Sequence, residues 1–386
     1  MEMNQVASFV NSVTGEVLGE TGILTENLSN VVDVGMSVLN GGDNLMDAFV
    51  RGLVNHIGRV VFVNRAYQGA APSVLMDGWE YGSILEKVST ALPTAEENED
   101  WTLTDGASYD PFVFHRPTVE SKFFNKRTTF EIAQSIAREQ VKQSFSGPDQ
   151  LNGFISMLNS AVQKSMTVKM DGLIMRTINN FTAETIYNHY GTGALTGAGN
   201  TRAVNLLYLY NQQYSESLTA AAALTDPDFI RYASFIMGTY VSRISKMSTL
   251  FNIGGKARFT PRDMLHVILH SDFEQAAAAF LQSNTFNKEL VALPRSEKVP
   301  YWQGSGTAYA FSDTSNVKVS TADGHSVNVS GVLGVMFDRD SLGVANLDRR
   351  VTTAYNAKGD FWNSFHKATA GYFNDYNENF IVFFVA

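Results

Sequence analysis

The chain contains no cysteine. Disulfides and thiolate metal sites are therefore excluded, and stability outside a cell must come from burial and assembly. Charge is also scarce: 17% of the 386 residues are charged, against roughly 25% in an average soluble protein. With 44% hydrophobic residues, the chain can still offset its conformational entropy, which excludes intrinsic disorder. A wide polar but uncharged surface follows, suited to a protein mostly surrounded by other subunits. Basic residues are in deficit, 29 Lys and Arg against 38 Asp and Glu, giving a net charge of −9. Nucleic-acid-binding domains are normally basic, so sequence-specific nucleic acid binding is not expected. No run of 18 apolar residues occurs, and no membrane-spanning helix is expected. The first residues, Met1 to Gln5, lack the basic region and apolar core of a signal peptide. The expectation is a product made without Sec-type targeting.

Catalytic motifs fail on spacing. Gly191, Gly193, Gly197 and Gly199 form a glycine-rich stretch, but no Lys-Ser/Thr follows, and Thr196 stands where a dinucleotide fingerprint needs glycine. A flexible connector is the better reading. His266 and His270 are four apart, yet Val267, Ile268 and Leu269 between them favour a strand, where structural histidines partly exposed at strand ends are expected. Gly304-Ser305-Gly306 lacks the context of a hydrolase nucleophile. No linear spacing singles out an acid/base pair. No metal, cofactor or catalytic residue is expected.

The clearest positive signal lies between residues 146 and 191. Leu151, Phe154, Ile155, Leu158, Val162, Met166, Met170, Leu173, Ile174, Ile178, Phe181 and Ile186 follow helical steps. Pro148 suits a first helical position and Gly191 a C-cap. The result is a long rod whose apolar stripe must be covered, and a neighbouring copy is the expected cover.

Around it, residues 1–60 read as loosely organised helices, with Leu45, Ala48, Phe49, Leu53 and Ile57 at helical spacing after the Gly41-Gly42 break. The segment is an extended arm or a poorly ordered tail. Arg59 to Asn64 is a short strand candidate. Residues 65–130 scatter aromatics among turns and end in a strand-like piece, 118–132, that makes most sense laid across a neighbour. Residues 200–255 look mostly helical, with breaks at Pro227 and Gly238 and a stop at Gly254-Gly255. A strand at 264–269 and a helix from Asp272 follow. Asp323-Gly324 joins a hairpin, and the region from Gly331 is β-rich, closing on Phe380 to Val385. The acidic cluster Glu96, Glu97, Glu99 and Asp100 is either a solvated loop tip or an inter-subunit contact. Its basic candidates on a neighbour are Lys122, Lys126, Arg127, Arg349 and Arg350.

Three stretches carry a family resemblance: Asn44 to Asn64; Val119 to Ile178; and Gly334 to Val385, with Asp338-Arg339-Asp340, Asn356 to Trp362 and Tyr372 to Phe383. Their order resembles the major capsid proteins of tailed bacteriophages, with the Hong Kong 97-type fold, and most of all those of small short-tailed phages. The resemblance implies an α+β chain. Its parts would be an N-terminal arm (1–63), an extended loop (64–133), a peripheral domain with a spine helix (134–195), an axial domain (196–335) and a return to the peripheral domain (336–386). It implies self-assembly into hexamers and pentamers of an icosahedral head around double-stranded DNA. Portal protein is an expected partner, with scaffolding or minor capsid proteins left open, and the virion is the expected location, after assembly in the host cytoplasm. The residues leave two other readings: a cytoplasmic ligand-binding protein or hydrolase using Gly191–Gly199 and His266/His270, or another virion structural subunit.

Overall fold

The computed structural model describes residues 3–18, 24–25, 27–40, 43–63, 71–76, 84–90, 93, 105–106, 108, 112, 114–282, 296–303, 310–320 and 324–386. Three helices come first: α1 (Met3–Leu18), α2 (Val31–Asn40) and α3 (Asp43–Val63). A short strand β1 (Leu75–Met76) precedes the antiparallel pair β2 (Leu85–Thr90) and β3 (Val119–Phe124). Next come β4 (Arg127–Ala137), α4 (Arg138–Ser144) and the long α5 (Pro148–Tyr190). The middle of the chain holds β5 (Ala203–Asn205), α6 (Leu206–Tyr214), α7 (Ala220–Ala223), α8 (Pro227–Ile244), β6 (Leu265–His270) and α9 (Ser271–Gln282). It continues through β7 (Ser296–Val299), α10 (Phe311–Thr314) and the hairpin of β8 (Val317–Ser320) with β9 (Ser326–Val329). Four strands close it: β10 (Val332–Asp338), β11 (Leu342–Asn356), β12 (Phe361–Asn374) and β13 (Phe380–Phe384). The chain is mixed helix and strand, as expected.

α5 begins and ends where its sequence dictates. Pro148 occupies the first turn after an extended Gly147, and Gly191 caps the far end at φ 62°, its N–H donating to Tyr187 O at 2.8 Å. Its 43 residues make a rod of roughly 65 Å. The apolar stripe is covered from within the chain, which corrects the expectation that a neighbour must cover it. The N-terminal half packs Leu151, Phe154, Ile155 and Leu158 against the first three helices, Phe145 and Trp362. The C-terminal half packs Met170, Leu173, Ile174, Ile178, Phe181 and Ile186 against both large sheets. Each fully buried side chain of this size contributes roughly 1.5–3 kcal/mol, which outweighs the cost of Gly153 and Gly172.

One sheet has the order β1-β11-β12-β4 and the other β5-β13-β10-β6-β7. In the second, β13 runs parallel to β5 and antiparallel to β10. Period two decides its packing. Phe380, Val382 and Phe384 face the core shared with α5, while Ile381, Phe383 and Val385 face the core made with α6, α8 and α9. A strand buried on both sides must be apolar throughout, hence the unbroken Phe380-Ile-Val-Phe-Phe384.

Several expectations are corrected. The first 63 residues are neither an extended arm nor a loose tail where described. Val10, Val13, Val31, Val34, Val38, Phe49 and Leu53 share one buried cluster with α5, and Trp362 Nε1 donates to Asp47 Oδ1 at 2.8 Å. Arg59 to Val63 is helix, not strand, because extending α3 by a turn needs no new nucleus. Gly238 lies inside α8, held there by the buried Ile230, Ala233, Met237, Tyr240 and Ile244, and the helix ends ten residues before Gly254. The boundary drawn at 335/336 cuts β10, and the one at 133/134 cuts β4. The closing strand joins the sheet of β5 and β6, not that of β11 and β12. The strand-like piece 118–132 is β3 and part of β4, and β4 pairs with the chain's own β12 rather than a neighbour.

Candidate assembly surface

The β2–β3 ladder has two unlike faces, fixed by alternation along each strand. On the inner face stand Leu85, Lys87, Lys122 and Phe124; on the outer face stand Val88, Val119 and Phe123, with Ile84 just before β2. The inner face is bonded to the chain itself. Lys87 Nζ donates to Asp375 Oδ2 at 3.0 Å, Glu378 Oε1 at 2.9 Å and Asp340 O at 3.1 Å. Lys122 Nζ donates to Asp375 Oδ1 at 2.9 Å. Arg258 Nε reaches Glu378 at 3.2 Å, and Lys256 Nζ reaches Glu120 at 2.6 Å. Phe124 lies against Phe373 with ring centroids 5.0 Å apart.

These ions clasp the ladder to the turn between β12 and β13. The Asp375 side chain is only 2% exposed. Burial alone would raise its carboxyl, but the hydrogen bond from Lys122, the charge and hydrogen bond of Lys87 and the N–H of Asn377 outweigh it and hold it below the usual carboxylate range. Burial would lower the Lys87 ammonium, and the charges of Asp375 and Glu378 raise it instead. Beneath the clasp, Thr260 Oγ1 donates to Asp338 Oδ2 at 2.7 Å and Asn379 Nδ2 donates to Thr260 Oγ1 at 3.1 Å. Burial pushes the Asp338 carboxyl up despite its bonds from Asp340 N–H and Thr260.

The outer face has no such cover among the described residues. Val88 is 59% exposed and Phe123 63%, and Phe112 and Phe114 nearby in sequence are more exposed still. Apolar side chains so arranged on a two-stranded ladder, which is marginal alone, define a surface awaiting a partner.

The residues singled out from sequence are dispersed. Lys122 is committed to Asp375 of its own chain. Lys126 and Arg127 are exposed at the start of β4. Arg350 is exposed on β11 opposite Lys367, which bonds Glu131 at 3.2 Å. Arg349 alternates to the inner side, where burial brings its guanidinium down to about 10. Glu96, Glu97, Glu99 and Asp100 lie outside the described residues, as does Gly304-Ser305-Gly306. The Gly191–Gly199 connector is a hydrogen-bonded turn, with Gly193 N–H donating to Tyr190 O and Asn205 N–H to Ala198 O, both at 3.2 Å. His266 and His270 lie in a strand and are buried rather than partly exposed. Among the described residues there is no group of three or more residues able to hold a metal ion, and no helix long and apolar enough to cross a membrane. Sequence reasoning missed Lys87, Arg258, Asp375 and Glu378. Their pairing spans up to 291 residues, and only the alternation in Leu85-Glu86-Lys87-Val88 hinted at a two-faced strand.

A 43-residue helix, two large sheets and a flap with exposed apolar side chains make the framework of the chain. A chain in the capsid structure of Staphylococcus phage Andhra has the same fold, with TM-score 0.54 and 9% identity over 84% of this chain and 86% of that one. The sequence profile of the Phi29-like phage major capsid proteins matches residues 10–384, and the chain belongs to that family. The major capsid protein of Bacillus phage GA-1 is 24% identical over 178 residues, 46% of this chain and 37% of the length of that relative.

Proposed function

We propose that copies of this chain form the hexamers and pentamers of an icosahedral head enclosing double-stranded DNA, with the Hong Kong 97-type arrangement. In this reading residues 1–63, β4 to α5 and the returning β11 and β12 make the peripheral part. Residues 196–338, completed by β13, make the axial part at the capsomer centre, and residues 64–126 make the extended loop. The chief partner is another copy. Portal protein occupies one vertex, scaffolding or minor capsid proteins are further candidates, and assembly proceeds in the host cytoplasm. No cofactor or catalysis is called for.

One observation carries the reading. The flap's inner face is satisfied by its own chain, while Ile84, Val88, Val119 and Phe123 are left outward and apolar. Burial of such a face against a second copy supplies roughly 25 cal/mol per Å² of apolar area, and lattice symmetry repeats the gain. Lys126, Arg127 and Arg350 would set register at the rim of contacts between copies, each pair worth about 0–1 kcal/mol. A wall with net charge −9 would also enclose DNA without adhering tightly to it.

The test is assembly of purified protein, followed by negative-stain imaging and sedimentation. Wild type should form capsomers, tubes or shells. The double variant Val88→Lys, Phe123→Lys should keep its melting temperature and stay unassembled. Equal assembly by the variant, or a wild type that remains a monomer with portal and scaffold supplied, overturns the proposal.

A further inference from the structure

The sheet of β1, β11, β12 and β4 is open on both sides over one and the same span. β12 is paired along both its edges: Phe361 to Thr369 face Asn356 to Asp348 of β11 and Ala137 to Thr129 of β4. β4 and this part of β11 are bonded along one edge only. β1 covers β11 at Val344 and Ala345, and the register shift between Asn346 and Asp348 separates that covered part from the rest. Among the described residues no strand lies beyond β4 or beyond Asp348 to Asn356. About half of the backbone N–H and C=O groups of such an edge point away from its one partner. Proteins that stay single blunt these edges with proline, a bulge or a short strand. Neither open stretch contains a proline, and the register shift lies outside both.

Charge is unbalanced at the same edges. Glu131, Lys367 and Arg350 stand in one row across the exposed face. Glu131 bonds Lys367 at 3.2 Å. Arg350, directly opposite Lys367, is exposed and bonds no carboxylate among the described residues. Two cations facing each other weaken a strand pair, and the open side of Arg350 is where an anion would relieve it. Asp348 on the β11 edge and Arg127 on the β4 edge are also exposed, and neither bonds an opposite charge among the described residues.

We propose that the open edge of β4 in one copy pairs with the open edge of β11 in the next, so that the sheet continues from copy to copy. The proposal rests on the shell reading and names one of its contacts. β4 and β11 run in the same direction, both antiparallel to β12. A neighbour placed further along the sheet, with the same face outward, therefore sets its β4 parallel to this β11. Continuing the rows without a shift puts Glu131 of one copy beside Arg350 of the next, with Arg127 diagonal to Asp348. The row then alternates in sign. On the other face Ile132 comes beside Val351 and Ile136 beside Tyr355, apolar against apolar. Two β4 edges paired with each other would leave Arg350 without its anion. Each copy carries one edge of each kind, so the contact is head-to-tail and repeats as a ring or a row.

The chain has no cysteine, so introduced thiols report on the contact. Ala133 and Thr352 flank Phe365 on the exposed face. Within one chain they lie two strands apart, about 10 Å and beyond disulfide reach, whereas the proposed pairing brings them to about 5 Å. Ala133→Cys protein mixed with Thr352→Cys protein, assembled and then oxidised, should give linked dimers containing one of each. Neither protein alone should link. Adding Arg350→Glu to the Thr352→Cys copy should cut the mixed link at least fivefold, and Glu131→Arg in the Ala133→Cys copy should restore it. Shells without the mixed link overturn the edge contact and leave the head reading in place. Links within Ala133→Cys protein alone assign the edge to a β4–β4 pair and also overturn it. Mixed links in rows that never close into shells keep the contact and overturn the head reading, while neither assembly nor link overturns both.

Discussion

Lys87 and Lys122 stand directly opposite each other across the β2–β3 ladder, and the two oxygens of Asp375 bond one each. Like charges in this position destabilise a strand pair unless an anion is shared between them. The carboxylate that makes the ladder possible is thus 288 residues from one lysine and 253 from the other.

Asp375→Asn should therefore destabilise by about 3 kcal/mol, the loss expected when a buried ion pair is left one-sided. Amide exchange should accelerate first in β2 and β3. Lys122→Gln alone should cost less, since its side chain is 41% exposed, and the double variant should lose less than the sum. Additive losses would remove the clasp from the account.

Stability should fall as pH drops from about 7 towards 5. Burial lowers the His270 imidazole, with the Asp272 carboxylate 3.9 Å away pulling the other way, and burial lowers His366 as well. Below about pH 6.5 the unfolded chain takes up protons that the folded one refuses, so these rings favour folding above that pH and oppose it below. Urea midpoints at pH 7.5 and 5.5 measure the drop, and His270→Gln should shrink it. An unchanged difference between the two pH values would refute the assignment.

Gly35→Ala should cost about 1–3 kcal/mol, because a β-carbon there overlaps the Phe145 side chain where α2 meets α4 and α5. Thermal unfolding gives the value. A neutral result would mean that the N-terminal helices are not seated on α5 as described.

Phe181 stacks on Phe380 with centroids 4.0 Å apart and planes 6° from parallel, joining α5 to the strand that completes the sheet. Phe181→Ala should cost about 3–5 kcal/mol by chemical denaturation. A loss under 1 kcal/mol would show that the core collapses around the gap.

Much of the fold was legible, and the reason is local. Pro148 and Gly191 mark the ends of α5 by backbone requirements that act within a turn. The apolar run Phe380 to Phe384 announces a strand covered on both faces. Partners were not legible. Leu151 and Ile178 advertise an apolar stripe without saying whether α1–α3 and the two sheets or another molecule covers it. Arg59 to Val63 reads as strand by composition and is carried into helix by what precedes it. The clasp was not legible: Lys122 was named for a contact with a neighbour's acidic cluster, and its partnership with Asp375 beside Lys87 comes only through topology.

The insertion of β13 between β5 and β10 imposes an order in time. β5 lies some 175 positions earlier, and until residue 384 has emerged the ribosome holds a sheet with an open slot lined by Phe337, Val335 and Ala203. A product that stops short of that strand exposes two apolar cores at once. A chain truncated before Phe380 should therefore be far more sensitive to protease than the whole chain, because both cores would lie open.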